Sequence, residues 1–223
     1  MKKFILLLAF LCYKNIHAQN NPFMNDGNGR PLYIKTTYVA DGSPYLFDEY
    51  NFAEITSVSG IVYRQVRVKL NMVDNQVQYM SDKGEELVAN LLIRKVKFLS
   101  AVDEDQKHVE ITVESFGEAL NSSGSVIYQV IDSGKVMLLK KTAITTRDEK
   151  KYGEATITRH FEKVQSDYLF INHEMKKIEK GKSFFLDTLI DKRKEVEAFI
   201  DQNKLKCKSK DDYKKIIAYY NSL

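Results

Sequence analysis

His108-Val109-Glu110-Ile111-Thr112-Val113-Glu114 sets apolar side chains at positions 109, 111 and 113, with a polar one at every position between. A period of two sends alternate side chains to opposite faces of an extended chain, so this stretch reads as a strand with one buried and one wet face. The pattern recurs on either side. Val66, Val68 and Leu70 alternate with Gln65, Arg67 and Lys69, and Ala155, Ile157 and Phe161 alternate with Thr156, Thr158 and His160. Residues 126–131 and 136–139 are apolar on both faces and read as the most buried pair. Asp132-Ser133-Gly134 between them has hairpin chemistry, as does Asp82-Lys83-Gly84. Residues 32–172 thus read as an antiparallel β-body of about eight to ten strands. A body of that kind buries one face by curling into a barrel or by folding as a sandwich, and strand order does not show in a single sequence.

The period changes near residue 173. Tyr213, Ile216, Ile217 and Tyr220 stand at i, i+3, i+4 and i+7, one stripe of a helix, and Ser209 with Asp212 resembles its capping box. Leu189, Val196, Phe199 and Ile200 suggest a second helix over about 184–202. Residues 173–223 carry 13 basic and 9 acidic groups, whereas the body is slightly acidic. The fold class is therefore mainly β (α+β), with a basic, helical C-terminal segment packed on the body.

The N-terminal stretch has the layout of a secretory signal peptide. Met1-Lys2-Lys3 is positive, Phe4 to Cys12 is apolar, and Ala18 is a small residue at the expected cleavage point. The apolar run is too short for a transmembrane span. An acylated Cys12 is disfavoured because Leu11, just before it, is not small. Residues 1–18 read as the signal and polar residues 19–31 as a flexible leader. Cleavage removes three of 34 basic groups (Lys2, Lys3 and Lys14), leaving 31 against 30 acidic, which gives no general reason to expect a nucleic-acid ligand. Cleavage also leaves Cys207 alone, so the fold rests on its core without an internal disulfide.

Gly42-Ser43-Pro44-Tyr45-Leu46, soon after a signal peptide, and Tyr219-Tyr220-Asn221-Ser222-Leu223, after a Lys-rich helix, resemble a group of uncharacterised secreted proteins of Bacteroidetes bacteria. The resemblance implies a bacterial envelope setting, periplasmic or secreted and with possible outer-membrane association. It identifies no site.

Motifs for known chemistry are incomplete. Gly181-Lys182-Ser183 ends like a phosphate-binding loop, but Lys176 stands where that loop needs a glycine. Ser183 reads more simply as a helix cap. His173-Glu174 opens like a helical zinc motif, but Lys177 occupies the second histidine position. His108, His160 and His173 have no metal-ligand spacing, and Asp103-Glu104-Asp105 lacks the glycine turn of a calcium loop. No metal or cofactor is expected. Lysines around Cys207 are the one argument for thiol reactivity.

Three groups have a functional reading beside a structural one. His108, Glu110, Thr112 and Glu114 share a polar strand face, which suits either general-base chemistry or ordinary cross-strand pairing. Tyr33, Tyr38, Tyr45, Phe47, Tyr50 and Phe52 form an aromatic run able to stack on a ligand or to pack a sheet rim, and the first five are the candidate ligand-binding residues. Lys204, Lys206, Lys208 and Lys210, with Lys214 and Lys215, form a basic cluster that could touch anionic headgroups or simply solubilise the surface. The expected function is a non-catalytic secreted or envelope protein that binds a ligand or partner through its β-body. The alternatives are a small secreted hydrolase with a non-local site, or an envelope assembly factor with a membrane-surface basic tail.

Overall fold

A computed structural model describes residues 38–102, 106–122, 124–150, 152 and 156–223. Residues 1–18, read above as a signal peptide, residues 19–31, read as a leader, Tyr33, Asp103-Glu104-Asp105 and Ala155 lie outside the described residues. Eleven strands follow in chain order: β1 (Val39–Asp41), β2 (Asn51–Ser57), β3 (Val62–Asn71), β4 (Gln76–Met80), β5 (Glu86–Val88), β6 (Ile93–Val102), β7 (His108–Glu114), β8 (Tyr128–Asp132), β9 (Met137–Glu149), β10 (Thr158–Ile171) and β11 (Glu174–Lys177). Both anticipated hairpin turns are present, between β4 and β5 and between β8 and β9.

All of these strands belong to one sheet ordered β1-β10-β9-β8-β7-β6-β2-β3-β4-β5, with β11 alongside β10. The expectation of a barrel or a sandwich is corrected to a single open sheet. The two ends of the order, β1 and β5, do not pair, and each is only three residues long. β1 joins β10 in parallel through Val39↔Thr158, Ala40↔Arg159 and Asp41↔His160, whereas the other pairings are antiparallel.

The open sheet is nevertheless strongly curled. Tyr45 bridges Asn71 of β3 from the side that β2 occupies, while Asp41, four residues earlier, lies beside β10. On a flat sheet those positions are six strand spacings apart, about 29 Å. Four residue steps reach about 14 Å at most. The sheet must therefore roll until residues 42–50 can cross the gap. Gly42 makes the crossing possible: its φ is +82°, and a Cβ there would stand 2.6 Å from the Phe161 carbonyl oxygen. Backbone bonds Leu46 N–H to Leu70 O (3.0 Å) and Met72 N–H to Pro44 O (2.8 Å) fix the far side.

Ala53, Ile55, Val66, Val68, Leu70, Val96, Phe98, Ile111 and Val113 fill the inner face with alternate side chains of β2, β3, β6 and β7. Val113, Gln129, Lys140 and Asp167 form one cross-strand row on that face. Beyond this polar row, Leu138 and Leu169 open a second core, covered by the helices.

The helices are α1 (Lys182–Thr188), α2 (Arg193–Gln202) and α3 (Lys210–Ser222). The single helix anticipated over 184–202 is broken at Leu189, whose ψ of 48° leaves the helical range before a short 3-10 turn, Ile190–Lys192. Gly181 rather than Ser183 stands at the start of α1. Strand β11 occupies residues 174–177, beyond the point where periodicity placed the change to helix.

α3 is docked. Tyr213, Ile216, Ile217 and Tyr220 are buried, and Ser209 caps the helix by accepting from Asp212 N–H at 3.2 Å. Asn221 accepts the Val136 N–H on Oδ1 and donates Nδ2 to the Val136 carbonyl, both at 2.9 Å. A Cβ on Gly134 would lie 2.6 Å from the Asn221 side chain, so this approach needs glycine. Tyr220 donates its hydroxyl to Asp191, which Lys135 also holds at 2.8 Å. Among the described residues, no helix is long and apolar enough to cross a membrane.

Candidate functional site

On β3 and β4 the side chains of Val68, Leu70, Val77 and Tyr79 point into the core, so Lys69 and Gln78 point outward, directly opposite each other. Outward positions on a sheet are ordinarily wet. Gln78 is instead 1% exposed. Lys69 Nζ lies 4.0 Å from the centre of the Tyr45 ring and 5.5 Å from that of Tyr50. Attraction of an ammonium to two ring faces contributes about 0.5–2 kcal/mol. Both rings come from the crossing segment, outside regular strands, which is why they can fold over β3 and β4.

This cluster contains unmet polar groups. Gln78 Nε2 and Oε1 and the Tyr50 hydroxyl are buried without a hydrogen-bond partner. The Tyr45 hydroxyl reaches toward the Gln78 amide, but the contact falls short of hydrogen-bond geometry. Burial raises the pKa of both phenols, and the Glu86 carboxylate on β5 raises them further. The site thus holds one cation, two nearby anions (Glu86 and, toward Tyr45, Asp74), two rings, and an amide with a spare donor and a spare acceptor.

The other candidate residues are dispersed. Phe47 turns inward and meets Phe98 edge-on at 5.1 Å, as part of the core. Tyr38 packs on Phe161 with the Arg159 guanidinium 4.4 Å from its ring centre. Phe52 is 57% exposed. On β7, Glu110 pairs with Lys97 at 2.9 Å and Glu114 with Lys95 at 3.8 Å, while His108 Nδ1 meets the Ser100 hydroxyl at 3.1 Å. Among the described residues, no carboxylate is hydrogen-bonded to that histidine.

His160 Nδ1 lies 2.7 Å from Asp41, and its Nε2 lies 3.3 Å from Glu149 in an orientation that forms no hydrogen bond. His173 stands edge-on to Phe170 in the turn before β11. Among the described residues, no three His, Cys, Asp or Glu side chains gather as metal ligands. Cys207 is fully buried in the helical core, and burial raises its pKa despite nearby Lys182. A buried, protonated thiol is a poor nucleophile. Lys204, Lys206 and Lys208 are exposed around the turn before α3, and Lys210 donates to Gln165 at 2.8 Å. A crevice lined by Leu46, Met72, Val113, Ile127, Gln129, Lys140 and Thr142 has no room for a ligand.

Of the residues gathered here, the sequence singles out Tyr45 and Tyr50 as candidates, and it does not single out Lys69, Gln78 or Glu86. Gln76-Val77-Gln78-Tyr79 has the alternation of a half-wet strand, and nothing local marks Gln78 as covered. Its burial comes from rings about 30 residues earlier in the chain. No family model, curated protein or solved structure matches the chain.

Proposed function

We propose that this is an exported, non-catalytic protein of the bacterial envelope that binds a ligand or partner protein through the outer face of its β-body, between Tyr45, Tyr50, Lys69 and Gln78. One observation carries the reading: three buried polar atoms in one place lack partners. Leaving such an atom unmet costs about 1–3 kcal/mol, and three of them at one site are a cost that the polar groups of a bound molecule would repay. The carboxylates nearest to a base-like geometry on β7 are paired with lysines, which supports binding over hydrolysis.

The test is untargeted and native mass spectrometry of the natively purified protein beside a Gln78→Leu, Tyr50→Phe double variant. A bound molecule or partner should appear with the wild type and be lost from the variant. Identical spectra for the two proteins, or a stoichiometric metal accompanied by hydrolytic turnover, would overturn the reading.

A further inference from the structure

We propose that the site formed by Tyr45, Tyr50, Lys69 and Gln78 receives an extended polypeptide segment of a partner, and that the Gln78 amide takes up the N–H and C=O of one residue of that segment. This rests on the binding reading above and names the class of its ligand. Gln78 carries one unmet acceptor and one unmet donor group, side by side on a single plane. Its complement must present a donor and an acceptor at the same spacing. A residue in an extended chain does so, because its own N–H and C=O lie along one edge. The molecule contains a worked instance: Asn221 holds Val136 by this pair of bonds, each 2.9 Å long. The Tyr50 hydroxyl, the third unmet atom, can donate or accept and so suits a neighbouring peptide group of the same segment.

Charge points the same way. Lys69 is held over two rings, and Glu86 lies close enough to influence both phenols. Lys69 is countered by Glu86 and, beside Tyr45, by Asp74, so the site carries no surplus of positive charge. A phosphate or sulfate attracted by Lys69 would be repelled by Glu86, whereas a neutral backbone meets neither penalty. Main-chain bonds then supply affinity, and the flat faces of Tyr45 and Tyr50 select side chains on either side. Gln78 is covered at present, so entry requires the Tyr45 ring to lift. That motion is a side-chain rotation, and the backbone on either side of Tyr45 can stay bonded to β3 through Leu46 N–H to Leu70 O and Met72 N–H to Pro44 O.

The experiment is panning of the full-length protein against a phage-displayed random dodecapeptide library, run beside a glycan array and a panel of nucleosides. Saccharide hydroxyls and base edges also offer donor–acceptor pairs. The expected outcome is a set of peptides whose affinity falls at least tenfold on Gln78→Leu, and by a similar factor when one peptide nitrogen is methylated. Tyr50→Phe, which removes a single oxygen, should cost about threefold and provides the reading if Gln78→Leu does not fold. Peptides indifferent to these changes overturn the proposal. Capture of a saccharide or nucleoside that depends on Gln78 overturns the peptide class and leaves the binding function standing. No Gln78-dependent binding in any arm overturns both.

Discussion

Asn221 and Gln78 carry the same chemical group into two packed places, a half-buried one at the end of α3 and a fully buried one on the outer face of β3 and β4. At the helical end the amide finds both of its partners on Val136, and the adjacent groups are likewise engaged: Tyr220 and Lys135 share Asp191. At the β3–β4 end the amide finds neither, and the Tyr50 hydroxyl beside it also goes without. The first region is complete within the chain. The second has burial without satisfaction, a condition that selection for stability alone removes by substitution with an apolar residue. On the binding reading proposed above, the polar group persists for a ligand.

The contrast can be broken by mutation, and the largest effect should come from the completed end. Ile217 is fully buried under α3, so Ile217→Ala should leave a cavity costing about 2–5 kcal/mol, read as a lower midpoint in chemical unfolding. An unchanged midpoint would mean that α3 is not part of the cooperative fold. Next, Asn221→Ala strands the N–H and C=O of fully buried Val136 and should cost about 1–3 kcal/mol by the same measurement. Gln78→Leu should act in the opposite direction, raising stability by about 1 kcal/mol, because it removes two unmet groups without breaking a formed bond. A destabilised Gln78→Leu would show that the amide has internal partners after all.

The smallest effect concerns pH. The bond from Lys135, and after it the bond from Tyr220, hold the Asp191 carboxyl below its usual pKa of 3.8. A group whose pKa is lowered by folding stabilises above its unfolded pKa, and that contribution is lost as the pH falls through the folded value. Asp191→Asn should therefore lower the melting temperature at neutral pH, and the difference from wild type should shrink as the pH falls below 3.8. The pair is half exposed, so the effect should be well under about 1 kcal/mol.

Much of this fold is legible in the sequence, for reasons that also explain what is not. Alternation at Val66, Val68 and Leu70, or at Val109, Ile111 and Val113, reports directly on which side chains face inward, because a strand has only two faces. The stripe of α3 is equally direct. Closure is not, since whether a sheet completes a barrel depends on how its end strands meet, and β1 and β5, three residues each, are too short to announce themselves as ends. β11 escaped notice because four residues, Glu174-Met175-Lys176-Lys177, are too few to display a period. Tyr45 and Phe47 have the same spacing as strand neighbours yet part company, one outward and one into the core, because residues 42–50 follow no strand geometry. Gln78 is hidden most deeply: its surroundings are assembled by that crossing segment and leave no mark around position 78.

The crossing has a consequence for the order in which the chain can fold. Asp41 meets His160 across 119 residues, so the earliest described strand has no seat until one of the last strands exists. Closing so long a loop adds little to its thermodynamic cost, which grows only with the logarithm of length. It weighs far more on the rate, since long-range pairing slows folding. The far side of the crossing does not wait for β10: Leu46 N–H to Leu70 O and Met72 N–H to Pro44 O tie it to β3, and Tyr50 adjoins the start of β2. The near side is therefore the late part, and a chain stalled before residue 158 would leave β1 unpaired while Tyr45 already sits against β3.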